Sequence, residues 1–157
     1  MRSPKLPPHS IVKNIPEKRE PGTIIFNVRP GGAADLTGHL GWICGIDRDG
    51  KFAFNWQFDE QPQDTNALPN GNIMFSLTKE GVLREATRGG DVVRSWHLPA
   101  LRTGGKQAAA GSTPIDIPLF HHRTNVFPNG NFLLLSAEGR MLDNWPLKDD
   151  EPNAPRG

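Results

Sequence analysis

A chain of 157 residues with 18 Lys and Arg against 17 Asp and Glu is long enough for one ordinary domain. Its 17 glycines and 15 prolines favour turns and short strands over long helices. A net charge of +1 supplies no strong field for nucleic acid or an anionic membrane, so neither partner is expected. The single cysteine, Cys44, excludes an intrachain disulfide and a zinc site built on cysteines.

The two ends of the chain are predicted to lie outside the folded part. Residues 1–21 contain five prolines and few apolar side chains to bury, which predicts an extended Pro-rich arm. This arm lacks the apolar stretch of a secretory signal, so no signal is predicted and the compartment stays unknown. Residues 149–157 are typical of a disordered tail. The apolar residues concentrate between these ends, in 22–148.

The segment 22–148 has the pattern of an all-β protein. It contains no convincing amphipathic helix, and short apolar runs bounded by Gly, Pro, Asn or Asp recur instead. The Gly-, Ala- and Ser-rich stretch 102–113 is predicted to be an insertion. Its helix-like part, 106–110, is predicted to be a loop, with a single helical turn as the alternative. The predicted strands are 23–28, 41–46, 51–58, 72–77, 81–86, 91–98, 122–127 and 131–136.

Two sequence units repeat within this segment. LPNGNIMFS (68–76) and FPNGNFLLLS (127–136) each predict a hairpin, because Pro presets a negative φ and Asn-Gly tolerates the positive φ of a tight turn. A second unit has Gly opening a strand and Trp six residues later. It occurs at 50–56, 90–96 and 139–145. A period of about 40 to 50 residues with several short strands is typical of β-propeller blades, which predicts about three blades here.

Three of the four tryptophans, Trp56, Trp96 and Trp145, occupy the same place in this second unit. A large aromatic residue at a fixed strand position is most simply a packing residue between stacked sheets. The alternative is a platform on which an aromatic ligand stacks. The sequence favours the packing role.

Adjacent histidines are the main candidates for chemistry. His121 and His122 begin the predicted strand that leads into the second Pro-Asn-Gly-Asn hairpin. As strand neighbours they should point to opposite faces, so they are not expected to share a metal ion. One imidazole facing a central channel could act as nucleophile or proton donor. The simpler alternative is two polar residues at a strand entrance. Arg123 would offer donors to an oxyanion such as sulfate, phosphate or carboxylate.

The order and spacing of these motifs resemble the arylsulfotransferase (aryl-sulfate sulfotransferase) family. The matching segments are 47–56, 68–72, 90–96 and 120–131. The resemblance implies a six-bladed β-propeller with a central active site, of which 22–148 would form about half. It also implies transfer of a sulfuryl group from an aryl sulfate to a phenol through histidine chemistry, with no cofactor and no metal. Members of that family are usually periplasmic or secreted.

Carried over by position, His121 and His122 match the His-His of the family, and His122 is favoured as the channel-facing catalytic residue. Arg123 stands where the family commonly has Asp, and with Asn125 it is expected to bind the sulfuryl oxygens. The sulfated histidine of the family is assigned to no residue of this chain. The alternative function is a non-catalytic, propeller-like module that binds a ligand or a partner. The open edges of an incomplete propeller also predict a homo-oligomer.

Overall fold

The computed structural model describes residues 10–29, 41–99 and 108–139, and these ranges contain ten β-strands and no α-helix. Helical structure there is limited to a single 3₁₀ turn, Pro16–Lys18. Within the same ranges, no helix is long and apolar enough to cross a membrane. The strands are β1 Ile24–Val28, β2 Gly41–Ile46, β3 Phe52–Phe58, β4 Gln63–Ala67, β5 Ile73–Leu77, β6 Val82–Ala86, β7 Val92–His97, β8 Thr113–Pro114, β9 Thr124–Val126 and β10 Phe132–Leu134.

The all-β prediction is confirmed, and each of the eight predicted strands is present, seven of them with shorter bounds and β2 with the bounds predicted. Two further strands, β4 and β8, were not predicted. The sequence of β4, QDTNA, has no apolar alternation, and its pairing with β5 is irregular between Gln63 and Asn66. The residues of the predicted arm before 10, the tail 149–157 and Trp145 lie outside the described ranges.

The stretch 102–113 is predicted to be an insertion, and its last residue takes part in the central sheet. Thr113 begins β8, which pairs in parallel with β7 opposite Trp96. The pairing continues beyond the strand, where the amide of Ile115 donates to the carbonyl of His97 at 2.8 Å. Backbone pairing therefore fixes a segment whose composition alone gives no strand signal.

The described strands form three sheets. The first sheet has the order β1-β2-β3, the central sheet β4-β5-β6-β7-β8, and the third is the hairpin β9-β10. From β4 to β7 the central sheet is an antiparallel meander in which each strand pairs with the next in sequence. None of these sheets closes on itself among the described residues.

Two hydrophobic clusters cover the two faces of the central sheet. The first joins it to the first sheet and contains Trp56, whose side chain is only 3% exposed. The second joins it to the β9-β10 hairpin, where the ring of Trp96 meets Phe132 edge-on at a centroid distance of 5.0 Å. All five residues of β5 are buried, as expected for a strand covered on both faces. The packing role of the repeated tryptophans is confirmed for Trp56 and Trp96.

Four hairpin turns share one geometry. They begin at Asp47, Leu68, Thr87 and Phe127, and in each the first amide donates to the carbonyl four residues later, at 2.8–2.9 Å. The glycine at the fourth position donates back to the first carbonyl and has a φ between 78° and 92°. Glycine adopts that φ without steric cost, which explains its presence in both repeated units. Gly50 and Gly90 therefore lie inside turns, two residues before their strands, and do not open the strands themselves.

Gly41, the first residue of β2, is a position where the packing requires glycine. A Cβ there would lie 2.6 Å from the carbonyl oxygen of Glu60 and 2.6 Å from Cδ of Pro62. Gly41→Ala should therefore lower the free energy of unfolding by about 1–3 kcal/mol, measured by denaturant titration. The control is Gly89→Ala, where the nearest atom would be Oγ1 of Thr87 at 3.5 Å. Equal unfolding midpoints for the two variants would contradict this close contact.

Candidate functional site

The histidine pair lies at an irregularity in the third sheet, just before β9. Leu135 bonds to residues on both sides of His122: its carbonyl accepts from the amide of His121 at 3.1 Å, and its amide donates to the carbonyl of Arg123 at 3.3 Å. His122 is the residue between these two bonds, and its φ is 61°. His122 is therefore left unpaired at the end of the β9-β10 hairpin, in the manner of a bulge, and such a residue redirects side chains.

The two imidazoles lie side by side, and this overturns the expectation that they point to opposite faces. Nδ1 of His121 is 2.6 Å from Nδ1 of His122, and the ring planes meet at 80°. The alternation of a regular strand would separate the rings, but His121 and His122 precede β9 and the positive φ of His122 breaks the alternation. The result is an imidazole pair in direct contact.

The contact restricts where the protons of the pair can sit. At 2.6 Å, one Nδ1 carries a proton and the other accepts it. A neutral ring that donates from Nδ1 keeps the lone pair on its Nε2. The pair therefore holds one imidazole in the tautomer whose Nε2 can act as nucleophile or base.

Strand β4 supports this segment, and sequence reasoning missed its role. Oε1 of Gln63 accepts from the amide of His122 at 2.9 Å, and Oδ2 of Asp64 accepts from the amide of Thr124. Nδ2 of Asn66 donates to the carbonyl of Thr124 at 3.1 Å. Asp64 also has a positive φ, 47°, so the two non-glycine residues with φ > 0 in the described ranges lie in the two segments that these bonds join. These partners are about 60 residues apart, and no sequence motif marks them.

Arg123 and Asn125, the two predicted substrate-binding residues, are both exposed and adjacent on the surface. Nε of Arg123 donates to Oδ1 of Asn125 at 3.4 Å. The buried Thr124 between them points the other way, as strand alternation requires. The guanidinium of Arg123 keeps other donors free of protein partners among the described residues, so an oxyanion can reach it from solvent.

A separate polar cluster lies at the first Pro-Asn-Gly-Asn turn. The carboxylate of Glu85, 1% exposed, accepts from Nδ2 of Asn70 at 2.9 Å and of Asn72 at 2.6 Å, while Nε of Arg94 donates to its other oxygen at 2.6 Å. Burial pushes the pKa of Glu85 upward, but the bonds from Asn72, Asn70 and Arg94 outweigh burial and hold that pKa below its usual value. Arg94 also lies over the ring of Trp96, 5.3 Å from its centroid. This cluster fastens a turn to two strands and is structural.

Glu60 lies between the first sheet and the β5–β6 turn. The residue is 7% exposed, and its carboxylate accepts from the backbone amides of Lys79 and Glu80, each at 2.7 Å. Burial raises the pKa of Glu60 despite these two bonds. It borders a cleft of about 240 Å³, and a second cleft of about 410 Å³ lies near Arg19. Neither cleft contains the imidazole pair.

Among residues 10–29, 41–99 and 108–139, no group of three or more His, Cys, Asp or Glu side chains could hold a metal ion. The thiol of Cys44 is buried in β2, and burial raises its pKa. Within the described part of the chain, the imidazole pair with Arg123 and Asn125 is thus the best candidate for a site that carries out a reaction.

Comparisons with known proteins add little to this arrangement. No protein-family model matches the chain, and no curated protein matches it. Among solved structures, the chain is similar to a protein of unknown function from Bacteroides caccae, with a TM-score of 0.41 and 19% sequence identity. The similarity covers 59% of this chain and 31% of the other, so this chain spans less than a third of that protein. At that TM-score the likeness carries no argument about fold or function.

Proposed function

We propose that the chain transfers a sulfuryl group from an aryl sulfate to a phenol, with the His121-His122 pair supplying the nucleophile. The observation that carries the proposal is the Nδ1–Nδ1 contact of 2.6 Å. It fixes one ring as an Nδ1 donor and leaves a lone pair on Nε2, which an imidazole nucleophile requires.

The reaction balances in two steps. Nε2 attacks sulfur, an N–S bond forms, and the S–O bond to the aryl group breaks as phenolate leaves. A second phenol then attacks sulfur, the N–S bond breaks, and the phenolic proton passes to solvent. Arg123 and Asn125 supply donors to the sulfuryl oxygens, which carry negative charge throughout the transfer. No cofactor is needed for this exchange.

The scaffold we propose is part of a β-propeller. Support comes from the antiparallel meander β4–β7, from sheets packed on both of its faces, and from Trp56 and Trp96 at equivalent interfaces. A propeller blade is a four-stranded antiparallel sheet packed between its neighbours. The order of motifs that resembles the arylsulfotransferase family supports the same interpretation.

The direct test is an assay with 4-nitrophenyl sulfate as donor and a phenol as acceptor, following nitrophenolate release. We expect release by the wild-type chain and a loss of at least about a hundredfold in His122→Ala and in His121→Ala. The matched control is His97→Ala. His97 lies in β7 and contacts Oγ of Ser112 at 3.0 Å, away from the pair, so this variant should retain activity. Absence of release from the wild-type chain, or equal loss in all three variants, contradicts the proposal.

The second candidate function is a non-catalytic module that binds an anionic ligand or a partner. The observation in its favour is exposure: His122, Arg123 and Asn125 all face solvent, whereas group transfer usually takes place where water is excluded. An aryl sulfate that binds the wild-type chain without being turned over, and fails to bind Arg123→Ala, would favour this function over catalysis.

A further inference from the structure

The bulge at His122 takes its hydrogen-bond partner from another sheet. The backbone groups of His121 and Arg123 that face β10 are bonded to Leu135, but the amide of His122 is not. That amide donates instead to Oε1 of Gln63, at the start of β4, over 2.9 Å. Gln63 is half-buried and lies 59 positions earlier in the chain.

The conformation that Gln63 supports is an unfavourable one. A left-handed φ is energetically unfavourable for a non-glycine residue and persists only where the surroundings hold it. His122 has φ 61°, and Asp64, directly after Gln63, has φ 47°. The bonds from Gln63 to His122 and from Asp64 to Thr124 tie these two strained backbones together.

We propose that Gln63 is the positioning residue of the imidazole pair: its side-chain carbonyl holds His122 in the left-handed conformation that brings the two Nδ1 atoms into contact. Without that acceptor, His122 relaxes toward an extended φ, and ordinary strand alternation turns its ring away from His121. The Nδ1 proton then loses its partner, and with it the bond that selects the tautomer. This inference deepens the proposed function and rests on it only for the kinetic readout.

The test reads the tautomer directly by two-bond ¹H–¹⁵N NMR of the histidine rings in the full chain, under conditions where the rings are neutral. We expect one ring of the wild-type pair to carry its proton on Nδ1. Gln63→Met keeps the length of the side chain but removes the acceptor, and should lose this signature. Gln63→Glu restores an acceptor oxygen and should recover it. Gln57→Ala, a glutamine of β3 that does not contact the pair, is the matched control and should keep it.

The kinetic readout separates this inference from the proposed function. In a chain that transfers sulfuryl groups, Gln63→Met should lower kcat about 10- to 100-fold, and Gln63→Glu should restore it. A tautomer signature that depends on Gln63 in a chain with no transferase activity supports the positioning role and contradicts the proposed function. A wild-type pair without an Nδ1-protonated ring, or Gln63→Met with the signature and kcat unchanged, overturns the positioning role. A far-UV circular dichroism spectrum checks that each variant is folded. If Gln63→Met does not fold, Gln63→Lys takes its place as the variant without an acceptor and is compared with Gln63→Glu.

Discussion

Trp56→Ala should lower the free energy of unfolding by about 3–5 kcal/mol, the cost of removing a large aromatic side chain from a well-packed core. Trp56 is 3% exposed and packs between Phe54 and Phe75, at centroid distances of 5.2 and 5.9 Å. These contacts join the first sheet to the central sheet. Removing the indole therefore weakens both the sheet interface and the burial of its neighbours.

The comparison variant is Trp96→Ala at the equivalent place in the repeat. Trp96 is only half-buried and meets Phe132 on one side, so its loss should cost less than that of Trp56. Denaturant titration followed by circular dichroism measures both values without relying on tryptophan fluorescence. A cost for Trp56→Ala no greater than that for Trp96→Ala would contradict the packing role and revive a ligand platform.

Glu85→Gln should cost about 1–3 kcal/mol at neutral pH and make stability less sensitive to acid. The pKa of Glu85 is held below its unfolded value in the folded chain, so its ionisation stabilises the fold at every pH above that unfolded value. That contribution is lost as the pH falls through the lowered pKa. The side chain of Arg94 is 53% exposed, so water replaces part of the lost ion pair and the cost stays below that of a fully buried pair.

Glu60→Gln should change the pH dependence of stability in the direction opposite to Glu85→Gln. Because burial raises the pKa of Glu60 above its unfolded value, the folded chain loses stability as the pH rises from that unfolded value through the higher pKa. Removing this carboxyl takes that loss away. Unfolding free energies measured across acidic pH should therefore change slope in opposite directions for the two variants. Slopes that shift in the same direction would contradict the environments described for Glu85 and Glu60.

Whether a strand could be predicted from the sequence depends on whether its side chains are buried. Strands with apolar residues on at least one face, such as β2 and β5, carry a signal that local sequence shows directly. Strand β4 is polar, and it exists because its backbone pairs with β5 while its side chains bond to another sheet. β8 likewise depends on pairing with β7. Such non-local bonds leave no periodic pattern in the sequence.

The candidate site was predictable in its residue types but not in its geometry. His121 and His122 stand out by adjacency, and Arg123 by its place beside them. The contact between the two imidazoles depends on the two backbone hydrogen bonds of Leu135 and on the bond to Gln63. Both partners lie well away from the histidines in the sequence. The expectation that His121 and His122 point to opposite faces was wrong, because a bulge interrupts the alternation of side-chain directions at the residue where it occurs.

The central meander also bears on the order in which the chain acquires structure. The strands β5, β6 and β7 each pair with the strand before them, through turns that close within a few residues. Contacts of such short sequence separation form with little loss of chain entropy, so they form early. The hydrogen bond between His122 and Gln63 spans 59 positions, so we expect it to form after that sheet. We therefore expect the imidazole pair to become ordered after the central sheet has formed.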